Sequence, residues 1–354
     1  MQKYSFLSVF LNFKSKNEKM ILVTGATGLV GGNLIWHLLT KNDSVVAIRR
    51  STSNLDPLSV IFRSYTSTPE VFLARIVWKI ADVLDEKSIL EAMKGVSIVY
   101  HCAAVVSFDQ KPENLYNTNV NGTRNVVRAA LQSNIEKMCF VSSIAACGKG
   151  LKGIPIDENS KWIIDLYHSV YSKSKYYSEQ EVWKGIEQGL KAVIVNPGVI
   201  LGVSGTDTGS SQLFSQVQKG LIFYTNGGSG YVYVRDVVNV MIQLTNSNIS
   251  GERFILVGEN CSNKDILCWM ADGFGKRHPA FKVGRPMLHA VASVVEIAGK
   301  LFHFHPVIDR SIAQIISQRE YYVNRKIKDA IEIKFKPIEQ SIHEICSFRK
   351  NADI

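Results

Sequence analysis

The first two hundred residues alternate short apolar runs with amphipathic stretches. Apolar runs of four to eight residues bounded by turn residues predict buried strands, and apolar positions three and four apart predict helices. Strands are predicted at 20–24, 44–48, 75–82, 97–104, 137–143 and 191–198, and helices at 31–40, 85–95, 119–132 and around Tyr171. This alternation predicts an α/β fold whose core is a doubly wound parallel sheet with right-handed crossovers.

The rhythm changes after Pro197, where glycines and serines cluster at 202–211 and 226–230 and the elements become shorter. We therefore expect residues 20–200, with parts of 230–260, to form the sheet domain. Residues 201–354 should mainly form a smaller lobe over the carboxyl edge of the sheet, where open α/β sheets place their sites. Residues 1–19 resemble a weak leader without a small-residue cleavage site, so they are either a leader or a misassigned start before Met20.

The composition and charge of the chain argue against several classes of function. The 354 residues are 46% hydrophobic, and the formal charge of +10 is spread along the chain without a basic block, so nucleic-acid binding is not expected. No run of about 18 apolar residues is present, so a stable membrane span is not expected either. Six cysteines without a CxxC pair indicate reduced thiols in a cytoplasmic protein. No metal site is predicted, because the two histidines at 303 and 305 lack a neighbouring acid or cysteine.

A glycine-rich loop follows the first predicted strand. The segment "VTGATGLVGGNL" spaces Gly25, Gly28 and Gly31 as GxxGxxG between a strand and a helix, which is the context of a dinucleotide phosphate loop. Backbone N–H groups and the positive end of the helix dipole would hold a pyrophosphate there. The loop residues expected at the cofactor are Gly25, Thr27, Gly28, Leu29, Val30 and Gly31.

The end of the second strand bears on cofactor choice. NAD-preferring proteins usually place an acid there for the ribose 2′-hydroxyl, whereas this chain has Arg49 and Arg50, which suit a 2′-phosphate. We therefore expect NADP in preference to NAD, and a solvated strand end is the alternative. Asp82 and Val83 close the third strand and are expected near the adenine, although Asp82 could equally cap the following helix.

Tyr171 and Lys175 stand four residues apart in "VYSKSKYYSEQEVW". This spacing places both side chains on one face of a helix. A nearby ammonium favours the phenolate and lowers the pKa of a tyrosine, which suits an active site. A solvated helix face is the alternative.

Taken together, these residues resemble the extended short-chain dehydrogenase/reductases. The segments "TGATGLVGG", "HCAA", "NVNGT", "FVSSIAACG", "YSKSK", "NPGVILG" and "YVYVRDVV" are similar, in order, to the landmarks of that family, over roughly Met20 to Phe348. The nearest branch is that of dihydroflavonol reductase-like and 3β-hydroxysteroid dehydrogenase-like enzymes. The resemblance implies a Rossmann-type fold with a C-terminal substrate lobe, a small-molecule substrate, and in many members a homodimer formed through the YxxxK helix.

The resemblance also implies catalytic roles. Tyr171 would exchange a proton with the substrate oxygen, while Lys175 would bind the nicotinamide ribose and lower the pKa of Tyr171. Ser143 would hydrogen-bond the same oxygen, with Ser142 as a second candidate. Asn119 would support the lysine through water.

Further residues are assigned by position in the same family pattern. Ala103 and Ala104 would lie beside the cofactor, and Pro197 and Gly198 would border the nicotinamide. The residues expected at a partly apolar substrate pocket are Ser107, Phe108, Ile144 and Tyr231.

The predicted function is an NADP-preferring oxidoreductase that transfers a hydride to or from a ketone, aldehyde or secondary alcohol. A nucleotide-sugar epimerase, which returns the hydride to the same molecule, is the alternative, and a non-catalytic NADP sensor is a third. Ser143 lacks the acidic pair that follows the catalytic residue in sugar-nucleotide dehydratases. Glycines and a serine precede Tyr231 where epimerases often carry a diphosphate-binding arginine.

Overall fold

A seven-stranded sheet with all neighbouring strands parallel organises the chain in the computed structural model. Its spatial order is β10-β6-β5-β4-β1-β2-β3. The strands are β1 (Ile21–Thr24), β2 (Val45–Arg49), β3 (Ile76–Ile80), β4 (Ile98–His101), β5 (Lys137–Val141), β6 (Ala192–Pro197) and β10 (Glu252–Leu256). The predicted doubly wound α/β fold is confirmed, and its six predicted strands form six of these seven.

The structure describes residues 19–42, 44–106, 112–148, 154–163, 168–288 and 316–352, together with 290, 293 and 313.

Helices cover both faces of the sheet, because successive strand residues point to opposite sides. Leu22 packs into one core with α4, α6 and α7, and Val23 packs into the other with α1, α2 and α9. The helices are α1 (Leu29–Leu39), α2 (Asp56–Arg63), α3 (Pro69–Leu73), α4 (Glu86–Ala92), α5 (Pro112–Tyr116), α6 (Gly122–Gln132), α7 (Val170–Glu187), α8 (Ser211–Gln218), α9 (Val234–Asn246), α10 (Asn263–Phe274), α11 (Arg325–Ala330) and α12 (Ile338–Asn351).

The chain after β6 builds two smaller sheets and a further core. The strands β7 (Val199–Leu201), β9 (Gly228–Tyr233) and β11 (Glu259–Ser262) form one sheet, and β8 (Phe223–Thr225) pairs with β12 (Phe281–Val283). A third core packs α8, α10 and α12 against β9. Between these elements the chain returns to the large sheet as its edge strand β10.

The segment 154–163 covers that open edge. The Glu158 carboxylate accepts a hydrogen bond from the Ile255 N–H at 2.8 Å, and the Glu158 carbonyl accepts one from the Arg253 Nε at 2.9 Å. Ile156 forms a bridge with Tyr322. These contacts satisfy backbone groups that an edge strand would otherwise expose. Within the described residues, no helix is long and apolar enough to cross a membrane.

Candidate active site

The glycine loop joins β1 to α1 at the carboxyl edge of the sheet. Gly25 has a φ of +68°, and a Cβ there would lie 2.6 Å from the Ala103 nitrogen. A Cβ on Gly31 would lie 2.1 Å from the Gly25 carbonyl oxygen. Gly28 is the exposed N-cap of α1. Only glycine fits the first two positions, so the loop brings bare backbone to the start of a helix, as an anion site requires.

The remaining loop residues lie at the same helix end. Thr27 precedes the N-cap, and Leu29 and Val30 form the first turn of α1; all three side chains are partly exposed. The structure therefore brings the six predicted loop residues together at one place.

The predicted ribose and adenine residues end β2 and β3, which are neighbouring strands. Arg49 is partly exposed and Arg50 is exposed, and the Arg49 Nε is buried without a hydrogen-bond partner in the described chain. The Asp82 carboxylate accepts a hydrogen bond from the Leu84 N–H at 3.0 Å in the turn before α4, whereas the side chain that caps this helix is that of Asp85. Val83 is buried in the core beside α4 and α6.

A serine–tyrosine–lysine set occupies the ends of β5 and α7. Ser143 is the second residue after the strand end, and its Oγ accepts a hydrogen bond from the Ala145 N–H at 3.1 Å. The Ser143 side chain also interacts with the Tyr171 side chain. Lys175, one turn further along α7, is 3% exposed and donates to the Val141 carbonyl at 2.8 Å. The sheet end and one helix face thus bring together three of the four residues predicted to be catalytic.

The pKa values of this set differ from the predicted pattern. Burial raises the pKa of Tyr171 above its ordinary value of 10.0, and the Ser143 side chain opposes that rise. The net direction is opposite to the predicted lowering, and the Lys175 ammonium donates to the Val141 carbonyl, so a lowering of this pKa by Lys175 stays a prediction. Burial lowers the pKa of Lys175 itself from 10.5 to about 8, while the Glu179 carboxylate opposes that change.

Asn119 lies in a π-helical turn, Asn117–Asn121, directly before α6. Its side chain accepts from the Val105 N–H at 2.7 Å and donates to the Val105 carbonyl at 3.0 Å and to the Ser174 hydroxyl at 3.0 Å. It therefore holds the chain after β4 against α7. Its predicted water-mediated support of Lys175 stays a prediction. Single π-turns inside helices frequently occur at functional sites.

The cofactor-flanking residues lie at the ends of β4 and β6. The Ala103 N–H donates to the Thr24 hydroxyl at 3.1 Å, and Ala104 follows it, partly exposed. Pro197 ends β6, and the Gly198 N–H donates to the Leu256 carbonyl at 3.0 Å. Because β1, β4, β5 and β6 are parallel, their carboxyl ends all reach the edge that carries the glycine loop.

The residues predicted for the substrate pocket are placed differently. Ile144 is buried among Cys147, Ile156 and Ile255, and Tyr231 is buried in the third core, where its hydroxyl donates to Asn263 at 3.1 Å. The structure gives both side chains a packing role, and substrate contact by either stays a prediction. Ser107 and Phe108 lie outside the described residues.

One buried histidine was missed by the sequence reasoning. His101 contacts the Thr24 hydroxyl through Nδ1 at 2.7 Å and the Thr123 hydroxyl through Nε2 at 3.0 Å. The Thr123 hydroxyl donates its hydrogen bond to the Asn119 carbonyl at 2.6 Å, so toward His101 it can only accept. The His101 Nε2 is therefore the donor, and the Nδ1 is the acceptor. Burial lowers the pKa of His101 to about 3, which keeps the ring neutral. A directed chain of hydrogen bonds therefore connects Ala103, β1, β4 and the π-helical turn.

Among the described residues, no group of three or more histidine, cysteine, aspartate or glutamate side chains could hold a metal ion.

Comparisons with known proteins agree with this geometry. The sequence model of the "NAD dependent epimerase/dehydratase family" matches residues 21–258. Sterol demethylase protein B of Methylococcus capsulatus is 29% identical over 77% of this chain and 79% of its own length. Cinnamoyl-CoA reductase 1 of Petunia hybrida is 27% identical over 94% of this chain and 92% of its own length. The crystal structure of gox2253 is 28% identical, with a TM-score of 0.78 over 95% of this chain and 99% of that one.

Proposed function

Because the chain belongs to the NAD dependent epimerase/dehydratase family of extended short-chain dehydrogenase/reductases, we propose that it is an NADP-preferring reductase or dehydrogenase. Its substrate would be a ketone, an aldehyde or a secondary alcohol. The observation that carries the proposal is that Ser143, Tyr171 and the buried Lys175 come together at the sheet edge that also carries the glycine loop.

The residues of this chain would handle the proton. A bound nicotinamide supplies or accepts the hydride at the substrate carbon. Tyr171 would donate its hydroxyl proton to the substrate oxygen during reduction and take it back during oxidation. Its raised pKa keeps the phenol protonated at neutral pH, which suits the reductive direction. Ser143 would donate a hydrogen bond to the same oxygen, and the ammonium of Lys175 would stabilise developing negative charge.

The cofactor residues fit this assignment. The first turn of α1 and the loop glycines would bind the pyrophosphate, and residues at the ends of β3, β4 and β6 would flank the adenine and nicotinamide ends. Arg49 and Arg50 would bind a 2′-phosphate, and the buried, unpartnered Nε of Arg49 supports that preference. Arg49→Gln should therefore weaken NADPH binding about tenfold or more and leave NADH binding unchanged. Titration calorimetry with both nucleotides measures this, and Arg63→Gln on α2 is the control.

The epimerase alternative has weaker support from the side chains. Arg235, which follows strand β9 along the chain, forms an ion pair with Glu344 at 2.9 Å and lies over the Tyr65 ring at 4.4 Å from its centroid. Its guanidinium is therefore already paired within the protein. A non-catalytic NADP sensor is disfavoured by the retention of Ser143, Tyr171 and Lys175 in one constellation.

We further propose that residues 201–354 mainly form the substrate lobe and that the protein works as a cytoplasmic homodimer. All six cysteines are unpaired, which suits a reducing compartment. Exposed side chains of Val170 and Tyr177 on α7 adjoin Tyr116 on α5, whose ring lies 6.2 Å from that of Tyr177. Light scattering should give a dimer mass that Tyr177→Glu reduces to that of a monomer.

The test of the enzymatic proposal begins with calorimetric titration of NADPH, NADH and a panel of nucleotide-sugars, followed by a screen of carbonyl compounds for NADPH oxidation. Tyr171→Phe should lower turnover about 100-fold or more, since it removes the proton donor, and should preserve NADPH affinity. Tyr177→Phe on the same helix is the matched control. Full activity in Tyr171→Phe would refute the proposed role, and nucleotide-sugar binding would favour the epimerase.

A further inference from the structure

The inner face of α7 carries titratable residues at three successive turns. Tyr171, Lys175 and Glu179 are spaced by four, so their side chains follow one another along the helix toward its C-terminus. Glu179 is only 1% exposed. A carboxylate this deep in a protein is expensive unless several donors satisfy it.

Glu179 is satisfied by four donors. Its Oε2 accepts from the Ser142 hydroxyl at 2.7 Å and from the Asn196 amide at 2.8 Å. Its Oε1 accepts from Arg253 Nη1 at 3.0 Å and from the Trp183 indole at 3.3 Å. The donors come from the end of β5, from β6, from β10 and from α7 itself, so one carboxylate connects the helix to three strands.

Two of these donors connect Glu179 to the reactive groups. Ser142 is the residue immediately before Ser143, and Asn196 donates a second hydrogen bond to the Ser143 carbonyl at 3.0 Å. The peptide of Ser143 is therefore held from both sides by groups that Glu179 orients.

The donor from β10, Arg253, extends the network to the segment 154–163. Arg253 donates to Glu179 through Nη1 and to the Glu158 carbonyl through Nε at 2.9 Å and through Nη2. The guanidinium thus joins α7 to the segment 154–163 that lies along the sheet edge.

We propose that Glu179 is a positioning residue for the Ser143–Tyr171 pair: it fixes α7 against the ends of β5 and β6 so that the two hydroxyls face one substrate oxygen. The inference rests on the proposed function, because it assigns Glu179 a role in that reaction. Lys175 makes the adjoining contact through the Val141 carbonyl, so successive turns of α7 are registered against successive residues, Val141 and Ser142, of one chain segment.

A second carboxylate on α7, that of Glu181, has different partners and, among the described residues, makes no comparable contact with the strand ends. Glu181, two residues further on, pairs with Arg124 at 3.0 Å and with Lys184 at 2.8 Å, both of which are substantially exposed. Those partners lie on helices at the surface, and neither contacts Ser142 or Ser143 in the described hydrogen bonds. Glu181 therefore provides a matched control on the same helix.

Glu179 also acts on Lys175 through its charge. The titratable groups that face Lys175 are Glu179 on its own helix and His101 and Cys102 at the end of β4. Burial lowers the pKa of Lys175, and the Glu179 carboxylate is the leading influence that raises it. Removing that negative charge should lower the pKa of Lys175 further, so the alkaline limb of the pH–rate profile should move to lower pH.

The experiment compares Glu179→Gln with Glu181→Gln in the full chain. Glu179→Gln should lower kcat about tenfold or more, because small displacements of reacting groups are costly, and should shift the alkaline limb down by about one pH unit. The affinity for NADPH, measured by calorimetry, should change less than about threefold, since Glu179 contacts none of the residues assigned to the pyrophosphate or the 2′-phosphate. Glu181→Gln should match the wild type in all three measurements.

Glu179→Gln leaves the buried Arg253 without its carboxylate and could misfold for that reason. A second variant therefore tests the inference independently. Ser142→Ala removes one donor and retains every charge, so it should fold with a melting temperature close to that of the wild type. It should lower kcat several-fold, leave NADPH affinity intact and leave the pH profile unshifted. Wild-type kcat in Ser142→Ala, or an unshifted profile with full kcat in folded Glu179→Gln, would overturn the inference. If the wild type itself neither binds NADPH nor turns over a carbonyl compound, the proposed function fails instead.

Discussion

Replacing Lys175 with methionine should stabilise the fold while removing activity. The lysine is 3% exposed, and its Nζ lies 5.0 Å from the centroid of the Phe140 ring and 2.8 Å from the Val141 carbonyl. Burial lowers its pKa from 10.5 to about 8. At pH 7 the folded protein therefore holds a charged ammonium where an apolar side chain of similar length would pack better.

The magnitude follows from the pKa of Lys175. A fall from 10.5 to about 8 disfavours the protonated folded state by about 3 kcal/mol, at 1.36 kcal/mol per pH unit. The unfolded chain binds this proton more tightly, so the cost is fully present below about pH 8 and disappears as the pH rises through 10.5. Methionine removes the cost but leaves the Val141 carbonyl without its donor, a loss of about 1–2 kcal/mol. The net gain is about 1–2 kcal/mol at pH 7, which corresponds to a few degrees in melting temperature.

Calorimetric melting curves of wild type and Lys175→Met at pH 7, 8, 9 and 10 measure this gain. The variant should melt higher at pH 7, and its advantage should shrink as the pH rises above 8. Lys173→Met, on the same helix but partly exposed, should show neither effect. A lower melting temperature for Lys175→Met at pH 7, or a difference that stays constant from pH 8 to 10, would refute the reasoning.

Three shorter predictions address other parts of the site. Gly31→Ala places a Cβ 2.1 Å from the Gly25 carbonyl, so it should weaken NADPH binding about tenfold or more in calorimetry; unchanged binding would contradict the close-approach argument. His101 has its pKa lowered from 6.5 to about 3, so folding stability should fall as the pH drops through that window; His101→Gln should flatten the slope in acid-unfolding curves, and an equal slope would count against a buried neutral ring. Glu158→Ala leaves the buried Ile255 N–H without its acceptor and should lower stability to denaturant by about 1–3 kcal/mol with NADPH affinity preserved; an unchanged midpoint would show that water replaces the carboxylate.

Local sequence patterns were sufficient to predict six of the seven strands of the large sheet and the glycine loop. Strands buried on both faces are nearly continuous apolar runs, and the loop requires glycine for steric reasons that Gly25 and Gly31 display. Lys175 shows the limit of spacing arguments. A separation of four residues predicted a shared face with Tyr171 correctly, but the direction of the ammonium depends on the Val141 carbonyl, which belongs to another element.

The burial of Ile144 and of Glu179 could not be predicted from the sequence, because it depends on contacts between segments that are distant along the chain. Ile144 is buried because Ile156, Ile255 and Tyr322 close over it, and the chain patterns around those three residues give no sign of that meeting. Glu179 belongs to a helix with many polar residues, where a charged side chain usually faces solvent. Its burial depends on Arg253, which lies 74 residues away along the chain.

The composition of the inner face of α7 links stability to the proposed reaction. A helix of this length packed on a sheet would normally gain stability from apolar side chains, yet the inner face here carries Lys175 and Glu179 together with the buried serines Ser174 and Ser178. Burying each of these groups costs desolvation free energy, and specific hydrogen bonds hold each one in place. The helix therefore has less hydrophobic stabilisation than an apolar inner face would give, but its side chains have a fixed orientation. The same physical reasoning thus gives opposite expectations for two neighbours. Methionine at position 175 removes an ammonium whose single donated bond does not offset its burial, whereas glutamine at Glu179 removes a charge that four donors fully satisfy, so the first should raise stability and the second should lower it.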